Sequence, residues 1–168
     1  QFDHPICTGG YITVTGGKDI RINHIHIEED AGKLVHDDYE GISMADYNRC
    51  GVPLIEIVTE PDFRSIEEVQ DFVEKLALRL KYAGVCDAKM EQGSMRVDVN
   101  ISIMPVGSTE FGTRAELKNL NSLKAIGRAI EYEINRQAEI LDNGGTVIQE
   151  TRRYNDNHGD TKALRSKE

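Results

Sequence analysis

The sequence predicts an α+β domain, and three observations lead there. Stretches of two-residue alternation are separated by turn signals, two long segments carry helical periodicity, and the strands group as hairpins around single helices. A doubly wound parallel sheet needs regular alternation of strand and helix, which this chain lacks.

The elements follow in order. Tyr11 to Thr15 alternates, Gly16-Gly17-Lys18 supplies a turn, and Asp19 to Glu28 alternates again, so a hairpin is expected. Ile20 and Ile22 share one parity while Ile25 and Ile27 take the other. A bulge near Asn23 and His24 would re-aim the side chains that follow. Leu54-Ile55-Glu56-Ile57-Val58, between Pro53 and Pro61, reads as a largely buried strand. Glu56 is out of place in it, facing either a polar cavity or solvent at a sheet edge. Ser65-Ile66-Glu67-Glu68 is a capping box that starts a helix. Ile66, Val69, Phe72, Val73, Leu76 and Leu80 then recur at spacings of three and four, and Gly84 supplies the stop. A second helix runs from about Ser122 to Asn143, carried by Leu123, Ile126, Ile130, Ile134 and Leu141, and ends at Gly144-Gly145. Thr146 to Tyr154 and Thr161 to Ser166 flank the turn-rich stretch from Asn155 to Gly159, which predicts a final hairpin.

Composition bounds the function. The 168 residues fit a single domain over 1–168, and 29 acidic against 20 basic residues leave a formal net charge of −9. A chain-wide positive field for nucleic acid is thereby excluded, though a local basic patch is not. No apolar run approaches the roughly 18 residues of a membrane span. Cys7, Cys50 and Cys86 lie far apart and form no CxxC pair, so neither a disulfide framework nor a zinc ribbon is encoded. Cys50 and Cys86 are expected as inert core thiols in a reducing compartment. The chain starts at Gln1 with no signal-peptide pattern, so it is expected to be a piece of a longer protein. It has no phosphate-binding Walker loop, because Gly17-Lys18 is followed by Asp19 and the earlier glycine position holds Ile12.

The chemistry concentrates in two stretches. From Met95 to Ile103 apolar residues alternate with Arg96, Asp98, Asn100 and Ser102, and Phe111, Thr113, Ala115 and Leu117 alternate with Gly112, Arg114, Glu116 and Lys118. A loop over 104–110 would place Arg114 beside Asn100 and Glu116 across from Asp98. A slip by two residues would change partners but keep both acids on the polar face. Like charges opposed across strands cost about 0.2–1 kcal/mol, so a positive group is expected between them: Arg96, Arg114, Lys118 or a divalent cation. Carboxylate oxygens suit magnesium, and neighbouring basic residues suit phosphates. The same pattern also describes a solvated face of mutually paired ions. In the second stretch, His24-Ile25-His26 places both imidazoles on one strand face within reach of a metal, followed by Glu28, Glu29 and Asp30. Half-buried histidines beside an ordinary acidic turn are the plainer reading. Arg152, Arg153, Lys162, Arg165 and Lys167 make the tail basic, but Glu150, Asp156, Asp160 and Glu168 interleave with them as on a solvated face.

Several longer motifs resemble one family. His26-Ile27-Glu28-Glu29-Asp30-Ala31-Gly32-Lys33, Asp46-Tyr47-Asn48-Arg49, the run from Gly51 to Pro61, Lys89 to Ser102, Phe111 to Ser122 and Gln149 to Arg153 together resemble the B-subunit family of aspartyl/glutamyl-tRNA amidotransferases, in order along nearly the whole chain. The resemblance implies part of a catalytic cradle similar to the glutamine synthetase catalytic domain, an antiparallel sheet with helices packed behind it. It implies ATP and Mg2+ as cofactors. In this family ATP phosphorylates the side-chain carboxylate of misacylated Glu-tRNA(Gln) or Asp-tRNA(Asn), and ammonia from an A subunit, the glutaminase of a heterotrimer with a C subunit, displaces phosphate. By matching motif positions, Glu29, Asp98 and Glu116 are implied as metal or ammonia-path carboxylates, with His26 and Glu56 as further metal candidates and Arg96, Arg114 and Lys118 as phosphate contacts. His24 has no counterpart in the family pattern, so the resemblance favours His26 alone. The family's N-terminal Glu-x-His element and C-terminal tRNA-holding domains are not in this sequence, so the fragment alone is expected to be inactive. A cytoplasmic setting, or an organellar matrix in a eukaryote, would follow. Two rival readings remain at this point: a non-catalytic assembly module docking a partner through its polar sheet face, and a metal-dependent hydrolase acting through His24 and His26.

Overall fold

A computed structural model describes residues 3–37 and 39–166; Lys167, Glu168 and the side chain of Arg165 from the basic tail lie outside it. The chain divides into two units, one running up to Phe63 and the other starting at Arg64. The first carries β1 (Cys7–Thr8), β2 (Tyr11–Thr13), β3 (Asp19–Glu29), β4 (Lys33–Asp37), β5 (Ile42–Asp46) and β6 (Pro53–Thr59). Gly16 and Gly17, at φ 97° and 85°, turn the chain where a side chain would strain it, and the Val14 N–H donates to the Lys18 carbonyl at 2.9 Å. The expected hairpin forms with Ile12 opposite Ile20 and Tyr11 opposite Arg21. Among the described residues of this unit, Ile12, Val14 and Ile20 are the buried apolar side chains. The far half of β3 is flanked by β1 on one edge and β6 on the other.

The bulge falls at Asn23. Ile22 opposes Thr59 and His24 opposes Val58, so β3 has one residue more than its partner. Neighbours on β6 point to opposite faces, and therefore so do Ile22 and His24. Two expectations need correction in this unit. β6 is not largely buried: it pairs with β3 alone among the described strands, Ile55 and Glu56 are exposed, and Leu54, Ile57 and Val58 are half-buried, as an edge strand allows. Cys50 is exposed in the turn before β6 and not a core thiol; in the second unit Cys86 is half-buried. The β4–β5 hairpin was not expected at all. Its turn is held by Asp37, whose Oδ1 accepts from the Tyr39 and Glu40 amides at 2.9 and 3.1 Å.

Beyond β6, Asp62 accepts a two-pronged contact from Arg21, Nε at 2.9 Å and Nη2 at 2.7 Å, together with the Arg21 backbone N–H at 3.0 Å. The hydrogen bonds from Arg21 hold the Asp62 carboxyl at about 2, below its ordinary 3.8. A depressed folded value favours the fold once pH exceeds the ordinary carboxylate range, and this contribution disappears as pH falls from about 4 toward 2. Carboxyl NMR titration should place the Asp62 midpoint near 2, and Arg21→Ala should return it to the ordinary range.

The second unit carries α1 (Ile66–Tyr82), β7 (Val99–Ile101), β8 (Ala115–Lys118), α2 (Leu123–Asp142), β9 (Glu150–Asn155) and β10 (Asp160–Ser166). Ser65 caps α1 by accepting from the Glu68 N–H, and Ser122 caps α2 by accepting from the Ala125 N–H. The Gln70 amide on α1 donates to the Leu123 carbonyl at 2.8 Å, tying the two helices. The sheet runs β10-β9-β8-β7 and is antiparallel except for β8–β9, which is parallel and joined through α2. The α+β expectation holds, with this one crossover added. Ala115, Leu117, Ala125, Ile126, Ala129, Ile130, Val147 and Tyr154 form the core. No helix among the described residues is long and apolar enough to cross a membrane.

The register between β7 and β8 differs from the expected one by two residues. Asn100, not Asp98, opposes Glu116. Alternating exposure extends back to Met95, yet pairing stops at Val99. The partner strand explains this: Asn119, at φ 68°, turns the chain away after Lys118, so nothing continues the ladder opposite residues 95–97. On the other side the Gln137 side chain stands in for a strand, accepting from the Ile103 N–H at 3.2 Å and donating to the Ile101 carbonyl at 3.1 Å. Gly112 lies so close that an added Cβ would sit 2.3 Å from the Ile103 carbonyl oxygen. Gly112→Ala should destabilise the chain by about 1–3 kcal/mol in urea unfolding, because backbone must move.

The buried stripe of α2 is partly polar. Ile126, Ile130, Glu133 and Gln137 face inward, while Ile134 and Leu141, expected in the core, are exposed. Glu133 is completely buried. Its carboxylate accepts from Arg136 Nε at 2.9 Å and Nη2 at 2.6 Å and from Gln137 Nε2 at 2.9 Å, with Arg152 Nε 3.7 Å away. Arg152 donates in turn to Glu150 at 2.5 Å and to the Thr161 hydroxyl and carbonyl at 2.7 and 2.8 Å. The tail is therefore not simply a solvated face: Arg152 and Glu150 turn inward, whereas Arg153 and Asp156 are exposed. Removing one partner from such a network leaves buried charge uncompensated, so Glu133→Ala should cost about 3–5 kcal/mol in the same unfolding measurement.

Candidate functional site

The polar face of β7–β8 carries the first constellation. Val97, Val99 and Ile101 turn inward and Arg96, Asp98 and Asn100 turn out, while on β8 Ala115 and Leu117 are buried and Glu116 and Lys118 take the other face. Both acids thus share a face, as parity requires. The positive group between them is Lys118, whose ammonium donates to Asp98 Oδ2 and lies 3.5 Å from Glu116 Oε1. Burial opposes its charge, but the hydrogen bond to Asp98 and the attraction of both carboxylates outweigh burial and raise its pKa above the ordinary lysine value. The Thr151 hydroxyl on β9 donates to the second oxygen of Glu116 at 2.8 Å and so orients it. Arg96 and Arg114 are exposed on neighbouring residues.

The second constellation lies in the first unit. His26 opposes Glu56 directly across β3–β6, and His24 follows the bulge on the same face. One ligand atom from each of His24, His26 and Glu56 lies within 4.8 Å of the others. The two imidazoles pack edge to face with centroids 4.7 Å apart. Glu29 has the opposite parity, that of Ile25 and Ile27, and is exposed at the strand end. The expected site residues therefore fall into two sets, His26, Glu29 and Glu56 in the first unit and Asp98, Glu116, Arg96, Arg114 and Lys118 in the second.

Other motif residues have structural work. Asp30 is bound by Arg49 Nε at 3.1 Å and by the Ala31 N–H at 3.1 Å, and the Asp30 N–H donates to the Val52 carbonyl. A side chain at Gly32 would press on the Tyr47 ring at 3.3 Å. The motif around Asp46 to Arg49 is thus packed against the Glu28–Gly32 motif.

Known proteins match the chain over its whole length. A family model described as the GatB/GatE catalytic domain matches residues 1–168. The chain belongs to the GatB/GatE catalytic-domain family. It is 63% identical to the B subunit of the aspartyl/glutamyl-tRNA(Asn/Gln) amidotransferase of Ruminiclostridium cellulolyticum, over all of this chain and 35% of that protein. The identity is 58% to the protein of the same name from Caldicellulosiruptor saccharolyticus, over all of this chain and 36% of that one, and 57% to that of Agathobacter rectalis, over 98% and 35%. The chain spans about a third of the length of these curated relatives.

The side chains that support these candidate residues carry little signal in the sequence. Thr151 behind Glu116 shows no signal beyond its place in the Gln149–Arg153 motif. Asn23 and Glu60, which line up behind His24, were visible only as the bulge residue and the end of the Gly51–Pro61 motif.

Proposed function

We propose that the chain is part of the catalytic domain of the B subunit in a glutamine-dependent aminoacyl-tRNA amidotransferase. ATP phosphorylates the side-chain carboxylate of Glu-tRNA(Gln) or Asp-tRNA(Asn), and ammonia released by a glutaminase A subunit, in a heterotrimer with a C subunit, displaces phosphate to leave the side-chain amide. The observation that carries this reading is the ammonium of Lys118 shared by Asp98 and Glu116 on one open strand face, within a family match over residues 1–168.

A carboxylate has no usable leaving group, and phosphorylation creates one. The donor set supports magnesium: Asp98 and Glu116 offer oxygen ligands alone, as this hard ion prefers, and they would hold it in the second unit. When bound, magnesium neutralises charge on the nucleotide phosphates. Lys118, already held charged by its two carboxylates, is placed to follow one of them or to turn to a phosphate oxygen, and Arg96 and Arg114 add exposed cations for the same anion. Thr151 keeps Glu116 in position. Glu29, with His26 and Glu56, is assigned to the metal or ammonia path by the family motif alone. An overall likeness to the glutamine synthetase catalytic domain is part of the same proposal, supported by the antiparallel sheets and the two packed helices.

The test is amide formation by the full-length protein assembled with its A and C partners, on both misacylated tRNAs, with ATP consumption followed alongside. Asp98→Ala and Glu116→Ala should each lower amide formation by about 100-fold or more while glutaminase activity persists, and Lys118→Met should raise KM for ATP about tenfold. Unchanged amide formation in both carboxylate variants overturns the assignment.

A further inference from the structure

We propose that His24, His26 and Glu56 form a binding site for a borderline divalent transition metal of the zinc type. This inference rests on the geometry of the first unit alone, and it gives His26 and Glu56 a more specific role than the family motif does. Three residues from two strands bring one ligand atom each within 4.8 Å of one another. Zinc holds nitrogen and oxygen ligands at about 2.0–2.2 Å, which spaces them roughly 3.3 Å apart, so rotation of the imidazoles by about an ångström closes the set. Two nitrogens and one carboxylate suit zinc and its neighbours and are a poor match for magnesium, which prefers oxygen.

Two further observations point to a ligand. The Asn23 amide donates to Glu60 Oε1 at 2.5 Å, which turns its carbonyl oxygen toward His24 Nδ1, also at 2.5 Å. With its proton directed at Asn23, Nδ1 leaves the lone pair on Nε2, and a carboxylate–amide–imidazole chain of this kind fixes tautomer and orientation in metal-binding histidines. His26 Nδ1 is buried without a hydrogen-bond partner among the described residues. Buried polar atoms are normally satisfied, and coordination would satisfy this site. Glu56 is exposed, which gives an ion access to the site, and three protein ligands leave a position for water.

The experiment is a zinc titration of the full chain against a chromophoric chelator, paired with cobalt substitution read by visible absorption. One metal per chain is expected, unaffected by excess magnesium. His24→Gln and His26→Gln should each weaken affinity by about 100-fold, Asn23→Ala by about tenfold, and His36→Gln on β4 should leave it unchanged. Binding that survives both histidine variants, binding displaced by magnesium, or no stoichiometric binding overturns the proposal. If a variant does not fold, the cobalt spectrum of the unaltered chain decides: a nitrogen–oxygen shell supports the site, and a thiolate charge-transfer band from Cys7 or Cys50 refutes it.

Discussion

The carboxylate of Glu133 is fully buried on the inward stripe of α2, and an isolated charge there would be strongly unfavourable. Its neutralisation draws hydrogen bonds from Arg136 and Gln137 on the same helix and the charge of Arg152 on β9, an ion pair at 3.7 Å. Because Arg152 is also anchored to Glu150 and to Thr161 on β10, the helix, β9 and β10 are fixed to one another. One turn further along α2, Gln137 completes the hydrogen bonding of the chain at Ile101 and Ile103. The polar face bearing Asp98, Glu116 and Lys118 therefore rests on a support that is itself ionic. Such networks contribute little net stability compared with an apolar core, but they penalise any other arrangement of the same elements.

Periodicity made the β2–β3 hairpin, β6, β7, β8, both helices and the terminal hairpin legible, because alternation and the three-and-four spacing follow from backbone geometry alone, whereas β1 and the β4–β5 hairpin were not legible from it. The capping serine at Ser65 and the bulge at Asn23 were legible for the same local reason. Apart from the local β4–β5 hairpin, what was not legible depends on partners distant in sequence. The register of β7 against β8 is set by where Asn119 turns away and by what Gln137 satisfies, neither of which a loop length reveals. The stripe of α2 was misjudged at Ile134 and Leu141 because Glu133 and Gln137 occupy its buried side, and polarity on a helix ordinarily signals solvent. The parallel pairing of β8 and β9 hides behind a single helix.

The candidate site shows the same division. That both acids share a face followed from parity, and the positive group expected between them is present as Lys118, while their direct opposition was an error of two residues. Face is a local property and partner is not. The two units also differ in the groups they present: carboxylates around an ammonium in one, imidazoles with a carboxylate in the other.

The extra residue at Asn23 makes the length of β3 a determinant in its own right. A chain lacking that position would keep Ile22 against Thr59 and His24 against Val58, and would lose just the amide that lies between His24 and Glu60. An insertion a few residues later, between Ile25 and Glu28, would instead carry the segment beyond it across the pleat. Alignment gaps within this strand thus differ sharply in meaning according to where they fall.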